Sequence, residues 1–124
     1  MQDFRNLSVW QLARGLVKTV YQQTADFRES DAFGLRTQIR RASVSICANI
    51  AEGCGRSGDR EFRRFLHHAM GSACELECQT ILSRDLALIT DSVQDRLLAA
   101  LIEVKKMLMG LIKSLKIPPR GKRN

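Results

Sequence analysis

Proline is nearly absent from this chain: its two prolines, Pro118 and Pro119, stand side by side near the end. The first 117 residues therefore hold no obligatory helix breaker, which favours a helical chain. No apolar run approaches the roughly 20 residues that cross a bilayer, so a membrane partner is not expected. The opening, Met1 to Leu7, is mixed and charged and does not read as a secretory signal, which places the chain in the cytoplasm. No strand alternation, glycine-rich phosphate loop or internal repeat competes with the helical pattern. What remains is ordinary globular material for one domain: 124 residues, 44% hydrophobic and 27% charged.

Acidic residues are missing after Glu103. Residues 1–104 hold 13 Lys+Arg against 13 Asp+Glu, so the net charge of +7 lies wholly in 105–124. Cations such as Lys105, Lys106, Lys113 and Lys116 suit the C-terminal end of a helix, where the dipole is negative. Arg120, Lys122 and Arg123 lie beyond the prolines and escape that account. Such a tail reads equally as a phosphate-binding end and as a solubilising one. The domain assignment is a bundle over 1–117 and a flexible basic tail over 118–124.

Hydrophobic spacing predicts four helices. Ser8-Val9-Trp10-Gln11 fits a capping box, with Ser8 as N-cap and Gln11 reaching back. Val9, Leu12, Leu16 and Val20 then share a face. After a polar link in which Ser30 or Asp31 is placed to cap, Leu35, Ile39, Ala42, Ile46 and Ile50 mark a second helix. Gly53 and Gly55 are expected to stop it in a left-handed turn. Ser57 or Asp59 is then placed to cap a third helix, from Glu61 to about Arg84. Gly71 in its middle is expected where another backbone comes close, since glycine there costs about 1 kcal/mol against alanine. Thr90 or Asp91 caps the fourth, whose stripe runs Leu97, Leu101, Val104, Leu108, Leu111, Leu115. Short links make the architecture an all-α, up-down-up-down four-helix bundle. A second apolar line on the fourth helix (Leu98, Ile102, Met109, Ile112) makes Leu98, Ile102 and Met109 the candidate oligomer contact.

The residues suited to chemistry do not assemble into a site. Cys47, Cys54, Cys74 and Cys78 read as thiols in a reducing compartment. Cys74 and Cys78, at i and i+4, would sit about 5–6 Å apart at Cβ, too far for a disulfide. His67 shares their face, yet the paired spacing of structural zinc sites is missing, and a buried role for the cysteines is the better reading. No metal or other cofactor is expected. Glu75 and Glu77 point apart on a helix and do not form a carboxylate pair. Ser45, Asn49 and Glu52 read as bonding across the bundle or capping helix ends. Arg36, Arg40, Arg41, Arg56, Arg60, Arg63 and Arg64 flank the second connection and read either as a phosphate-binding surface or, with Glu52, Asp59 and Glu61 interleaved, as a solvated face with salt bridges. We take the chain as non-enzymatic.

Gln38-Ile39-Arg40-Arg41-Ala42, Ser45-Ile46 and Asn49-Ile50-Ala51-Glu52-Gly53 resemble the signature of the 23S rRNA intervening-sequence (S23) family of bacterial four-helix bundles. Glu61-Phe62, Arg64-Phe65-Leu66, Ala69, Gly71-Ser72, Glu75-Leu76-Glu77 and Gln79 supply its second half, and Phe4 to Trp10 resembles its opening. The resemblance spans roughly residues 4–116. It implies a fold similar to the accessory variability determinant of diversity-generating retroelements. It also implies a homopentamer, association with RNA or DNA, and a reverse transcriptase or other protein as partner. Arg40, Arg41, Asn49, Glu52, Gly53, Glu75 and Glu77 then count as structural signature, with Arg40 and Arg41 suited to pairing with Glu75 and Glu77. The candidate nucleic-acid contacts are Lys113, Lys116, Arg120, Lys122, Arg123, Arg36, Arg56, Arg60 and Arg63. The alternative is a structural or protein-interaction scaffold that binds no nucleic acid.

Overall fold

A computed structural model describes residues 2–27 and 34–117. Its helices are α1 (Ser8–Thr24), α2 (Leu35–Cys54), α3 (Gly58–Asp85) and α4 (Asp91–Ser114), preceded by a short 3-10 helix, Phe4–Asn6. They run up, down, up, down, each packed on its neighbour in sequence, with α1 also against α4. One core fills the middle, drawn from Leu16 and Val20 of α1, Ile46 and Ile50 of α2, Leu66 and Leu76 of α3, and Leu101 and Leu108 of α4. Each such side chain taken fully out of water contributes about 1.5–3 kcal/mol. The stripes foreseen on α2 and α4 are mostly the buried ones. Leu12 and Leu111 are only half-buried, and Ala13 and Ile112 take the inner positions beside them.

The helix ends depart from expectation in instructive ways. Ser8 is the first residue of α1 and not its cap; Leu7 holds the N-cap position without a side-chain bond. The 3-10 turn, itself capped by the Asp3 carboxylate accepting from the Arg5 N–H, leads directly into α1. Gln11 therefore donates to the Arg5 carbonyl at 2.9 Å instead of reaching Ser8. Ser30 and Asp31 lie outside the described residues. Thr90 caps α4 as read, its hydroxyl accepting from the Val93 N–H at 3.2 Å.

Glycine acts differently from the reading as well. Gly55 is right-handed at φ −86°, and Gly53 lies inside α2. A Cβ on Gly53 would meet Phe62 Cδ1 at 2.9 Å and Phe65 Cβ at 3.0 Å, so Gly53 sets the close approach of α2 to α3. The left-handed conformation falls on Gly58, whose φ is 80°, and α3 starts there, three residues earlier than expected. Ser57 holds the N-cap position without a side-chain bond. Gly71 faces open space, with nothing within 4 Å of an added Cβ.

Helix α3 ends in a Schellman turn, with Ala87 N–H donating to the Arg84 carbonyl and Leu88 N–H to that of Ser83. Ala87 takes the left-handed position at φ 59°, the one non-glycine to do so among the described residues. Replacing it by glycine relieves its Cβ. Ala87→Gly is expected to raise stability by about 0.5–1 kcal/mol in a urea titration; a loss would show that the Ala87 methyl has a packing role.

Candidate functional site

Two surfaces gather the residues singled out by the sequence. The first is one end of the bundle. Alternating helix directions bring the starts of α1 and α3 together with the ends of α2 and α4. Gln2 joins Gly53, Cys54, Arg56, Gly58, Asp59 and Phe62 around a small cavity there. Helix α4 is held antiparallel to α3 by ion pairs of Lys105 with Glu77 and of Arg84 with Asp91. Its last turn therefore runs toward the end that holds Arg56, Arg60 and Arg63, with Lys113 about level with Ala69 of α3 in the register of the Glu77–Lys105 pair. Arg56 is paired with Glu52 at 2.6 Å, and Arg64 with Glu61 at 3.1 Å. Both guanidiniums lie over the Phe65 ring, at 5.0 and 4.7 Å. The Glu61 carboxyl is held below its ordinary range by the hydrogen bond from Arg64. Arg60, Arg63, Lys113 and Lys116 have no carboxylate within 4 Å among the described residues. The α3 N-terminus adds its own partial positive charge. Arg120, Lys122 and Arg123 lie outside the described residues.

Arg36 and Arg40 belong to the opposite end and to the fold. Arg36 donates to the Phe27 carbonyl. Arg40 donates to Thr24 Oγ1 at 2.9 Å and to the Tyr21 carbonyl at 3.2 Å, and lies 4.4 Å over the Tyr21 ring. A cation thus closes the C-terminal end of α1, where unpaired carbonyls and the dipole favour it. The pairing of Arg40 and Arg41 with Glu75 and Glu77 does not occur within the chain, because Arg40 is committed to α1 and Glu77 to Lys105.

The second surface is the seam between α2 and α3. Ser45 and Ser72 share a hydroxyl hydrogen bond of 2.8 Å, and Asn49 donates to the Ser45 carbonyl at 2.9 Å and to its hydroxyl at 3.0 Å. Further along, Gln38, Arg41, Ala42 and Ser45 face Glu75 and Gln79 across a shallow groove of about 300 Å³. Sequence reasoning missed that Gln79 is buried, although it follows Leu76 by three residues in the inward stripe of α3. That register was the available signal.

The candidate oligomer contact is partly exposed: Ile102 is 52% and Met109 39% accessible, while Leu98 is half-buried against the core. Ile81, 42% exposed, lies on the neighbouring helix α3 at about the level of Leu101 in the register of the Glu77–Lys105 pair. Cys74 and Cys78 are exposed on α3, contrary to the buried role expected, because they fall outside its inward stripe. Cys54 is buried, and burial pushes the half-buried Cys47 thiol up to about 11. No three His, Cys, Asp or Glu side chains gather as metal ligands among the described residues. Nor is any described helix long and apolar enough to cross a membrane.

Comparison with known proteins agrees with the architecture. A crystal structure of a protein of unknown function from the S23 ribosomal protein family of Bacteroides thetaiotaomicron superposes with a TM-score of 0.77 at 25% identity. The match covers 86% of this chain and 99% of that one. No curated protein matches. The model of the 23S rRNA-intervening sequence protein family matches residues 5–110. With that match over most of its length, the chain belongs to the 23S rRNA-intervening sequence protein family.

Proposed function

We propose that the chain is a non-enzymatic, cytoplasmic accessory protein that assembles as a homopentamer and holds RNA or DNA against the basic end of each bundle. The cation excess at the end of α4, a helix that runs toward the bundle end holding Arg56, Arg60 and Arg63, is the observation that carries this reading. The sequence continues from that end with three further cations, Arg120, Lys122 and Arg123. A ring repeats the cluster five times, and weak contacts then add through avidity when one polyanion spans them. The resemblance to a retroelement accessory protein that the sequence signature implies points to a reverse transcriptase as protein partner. Filter binding to RNA across a salt series tests the reading. Phosphate contacts weaken steeply with salt, and deletion of 118–124 is expected to lower affinity without changing helicity. Absence of RNA and DNA binding even at low salt would support the scaffold reading instead.

The assembly rests on a separate surface, the apolar strip of α4. Ile102→Asp or Met109→Asp places a charge where a neighbouring helix would pack, and neither side chain belongs to the buried core. Either variant is expected to reduce the mass seen by light scattering to that of one chain, with helicity kept. An unchanged oligomer in both, and in Leu98→Asp, would move the interface elsewhere.

A further inference from the structure

Helix α4 presents two unlike surfaces on its two flanks. Lys105 bonds Glu77 of α3, and Asp95, Leu98, Ile102 and Met109 follow that flank at successive spacings of 3, 4, 3 and 4 through Lys105. Ile102 and Met109 are exposed and form a ridge, with Leu98 half-buried beside them. On the other flank, Arg96 and Ala100 meet Leu12, Gly15 and Thr19 of α1 around a groove of about 280 Å³. The floor of the groove is Leu16 and Leu97, both buried. The Thr19 hydroxyl donates to the Gly15 carbonyl at 3.2 Å and makes no demand on an occupant. Gly15 itself has nothing within 4 Å of an added Cβ, so no packing within the chain calls for a glycine there. Gly71 and Gly110 are equally open, but neither borders this groove.

We propose that the ridge of one chain packs into the α1–α4 groove of the next copy, an inference that rests on the homopentamer proposed above. A contact that generates a ring joins two different surfaces of the chain, whereas a patch that pairs with itself stops at a dimer. Ridge and groove are such a pair, one projecting and one recessed, both apolar. They lie on opposite flanks of α4, so the ridge cannot fill the groove of its own chain. The charges agree as well. Asp95 begins the ridge and Arg96 rims the groove; both are exposed, and neither has an ion-pair partner among the described residues. Rotation about an axis along the bundle keeps every residue at its own height. Asp95 of one chain then stands about 1.5 Å in height from Arg96 of the next, and Leu98 and Ile102 within about 3 Å in height of Ala100. An acid thus meets a base where the apolar side chains meet the groove.

Two variants of the full chain test the pairing by light scattering, with helicity followed by circular dichroism. Ile102→Asp disables the ridge and leaves the groove. Gly15→Trp fills the groove from a position with open space around it and leaves the ridge. Gly15→Glu is its companion, placing a charge in the groove on a good helix former. Each variant alone is expected to fold and to scatter as one chain. An equal mixture of Ile102→Asp with either Gly15 variant, at concentrations on the order of 100 μM, is expected to scatter as two chains. Only one junction survives in that mixture, between the ridge of the Gly15 variant and the groove of Ile102→Asp. Parent-sized oligomers of both Gly15 variants would overturn the proposal and leave the pentamer standing, with its interface elsewhere. A mixture that stays at one chain would overturn it too. A parent protein that itself scatters as one chain would overturn the pentamer and this inference together.

Discussion

Gly53→Leu is expected to destabilise the bundle by more than about 3 kcal/mol, a large part of the roughly 5–15 kcal/mol that holds such a domain together. Its Cβ alone would stand 2.9 Å from Phe62 Cδ1, 3.0 Å from Phe65 Cβ and 3.4 Å from the Phe62 carbonyl. The Phe62 ring can turn slightly, but Phe65 Cβ is fixed to the α3 backbone, so the helices must separate. Separation would also disturb the Arg56 and Arg64 stacking on Phe65 and the Ser45–Ser72 bond further along the seam. Gly53→Ala is milder: alanine gains about 1 kcal/mol of helix propensity against an overpacking cost of about 1–3 kcal/mol. Gly71→Ala is the matched control within α3. With open space around it, the propensity gain should appear undiminished, as about 1 kcal/mol of added stability. Urea denaturation of the three variants checks the order: Gly71→Ala most stable, then Gly53→Ala, then Gly53→Leu. A Gly53→Leu variant as stable as the parent would mean that α2 and α3 are not in close contact at that point.

The sequence made the helices legible because each apolar stripe has only one way to face inward. Ile39, Ala42, Ile46 and Ile50 repeat at 3 and 4, and a helix is the structure that buries all of them together. Helix ends were less legible, since several local hydrogen-bond solutions compete. The Ser8 capping box lost to a 3-10 turn that depends on Asp3 and Arg5. Ala87 at a left-handed C-terminal position gives no compositional warning. The role of Gly53 was hidden for another reason: a glycine near a helix end satisfies both a turn and a close crossing, and only the neighbouring helix decides. Arg40 likewise reads as a surface charge until Thr24 and Tyr21 are found beside it. The basic end was half legible. The excess of cations after Glu103 is plain in the sequence, but that α4 runs toward the end holding Arg60 and Arg63 follows from the up-down topology.

The basic end is the centre of the proposed function, and substitution of its unpaired cations tests it most directly. Arg60, Arg63, Lys113 and Lys116 are replaced together by glutamine; none belongs to the buried core or to an ion pair among the described residues. Such surface changes typically alter stability by less than about 0.5 kcal/mol each, so helicity and oligomer mass are expected to persist. Each phosphate contact to a single strand contributes about 0.7 to the slope of log affinity against log salt. Loss of four contacts per bundle should therefore flatten that slope by about 3 and lower RNA affinity at 50 mM salt by about 100-fold or more. Arg41→Gln, at the far end of the bundle, serves as the control and should bind RNA like the parent. Filter binding of the fourfold variant, the Arg41 variant and the parent from 50 to 200 mM salt is the measurement. A flattened slope and a large loss confined to the fourfold variant is the predicted result. Equal affinity and slope for all three proteins would contradict the assignment of the basic end as the polyanion surface.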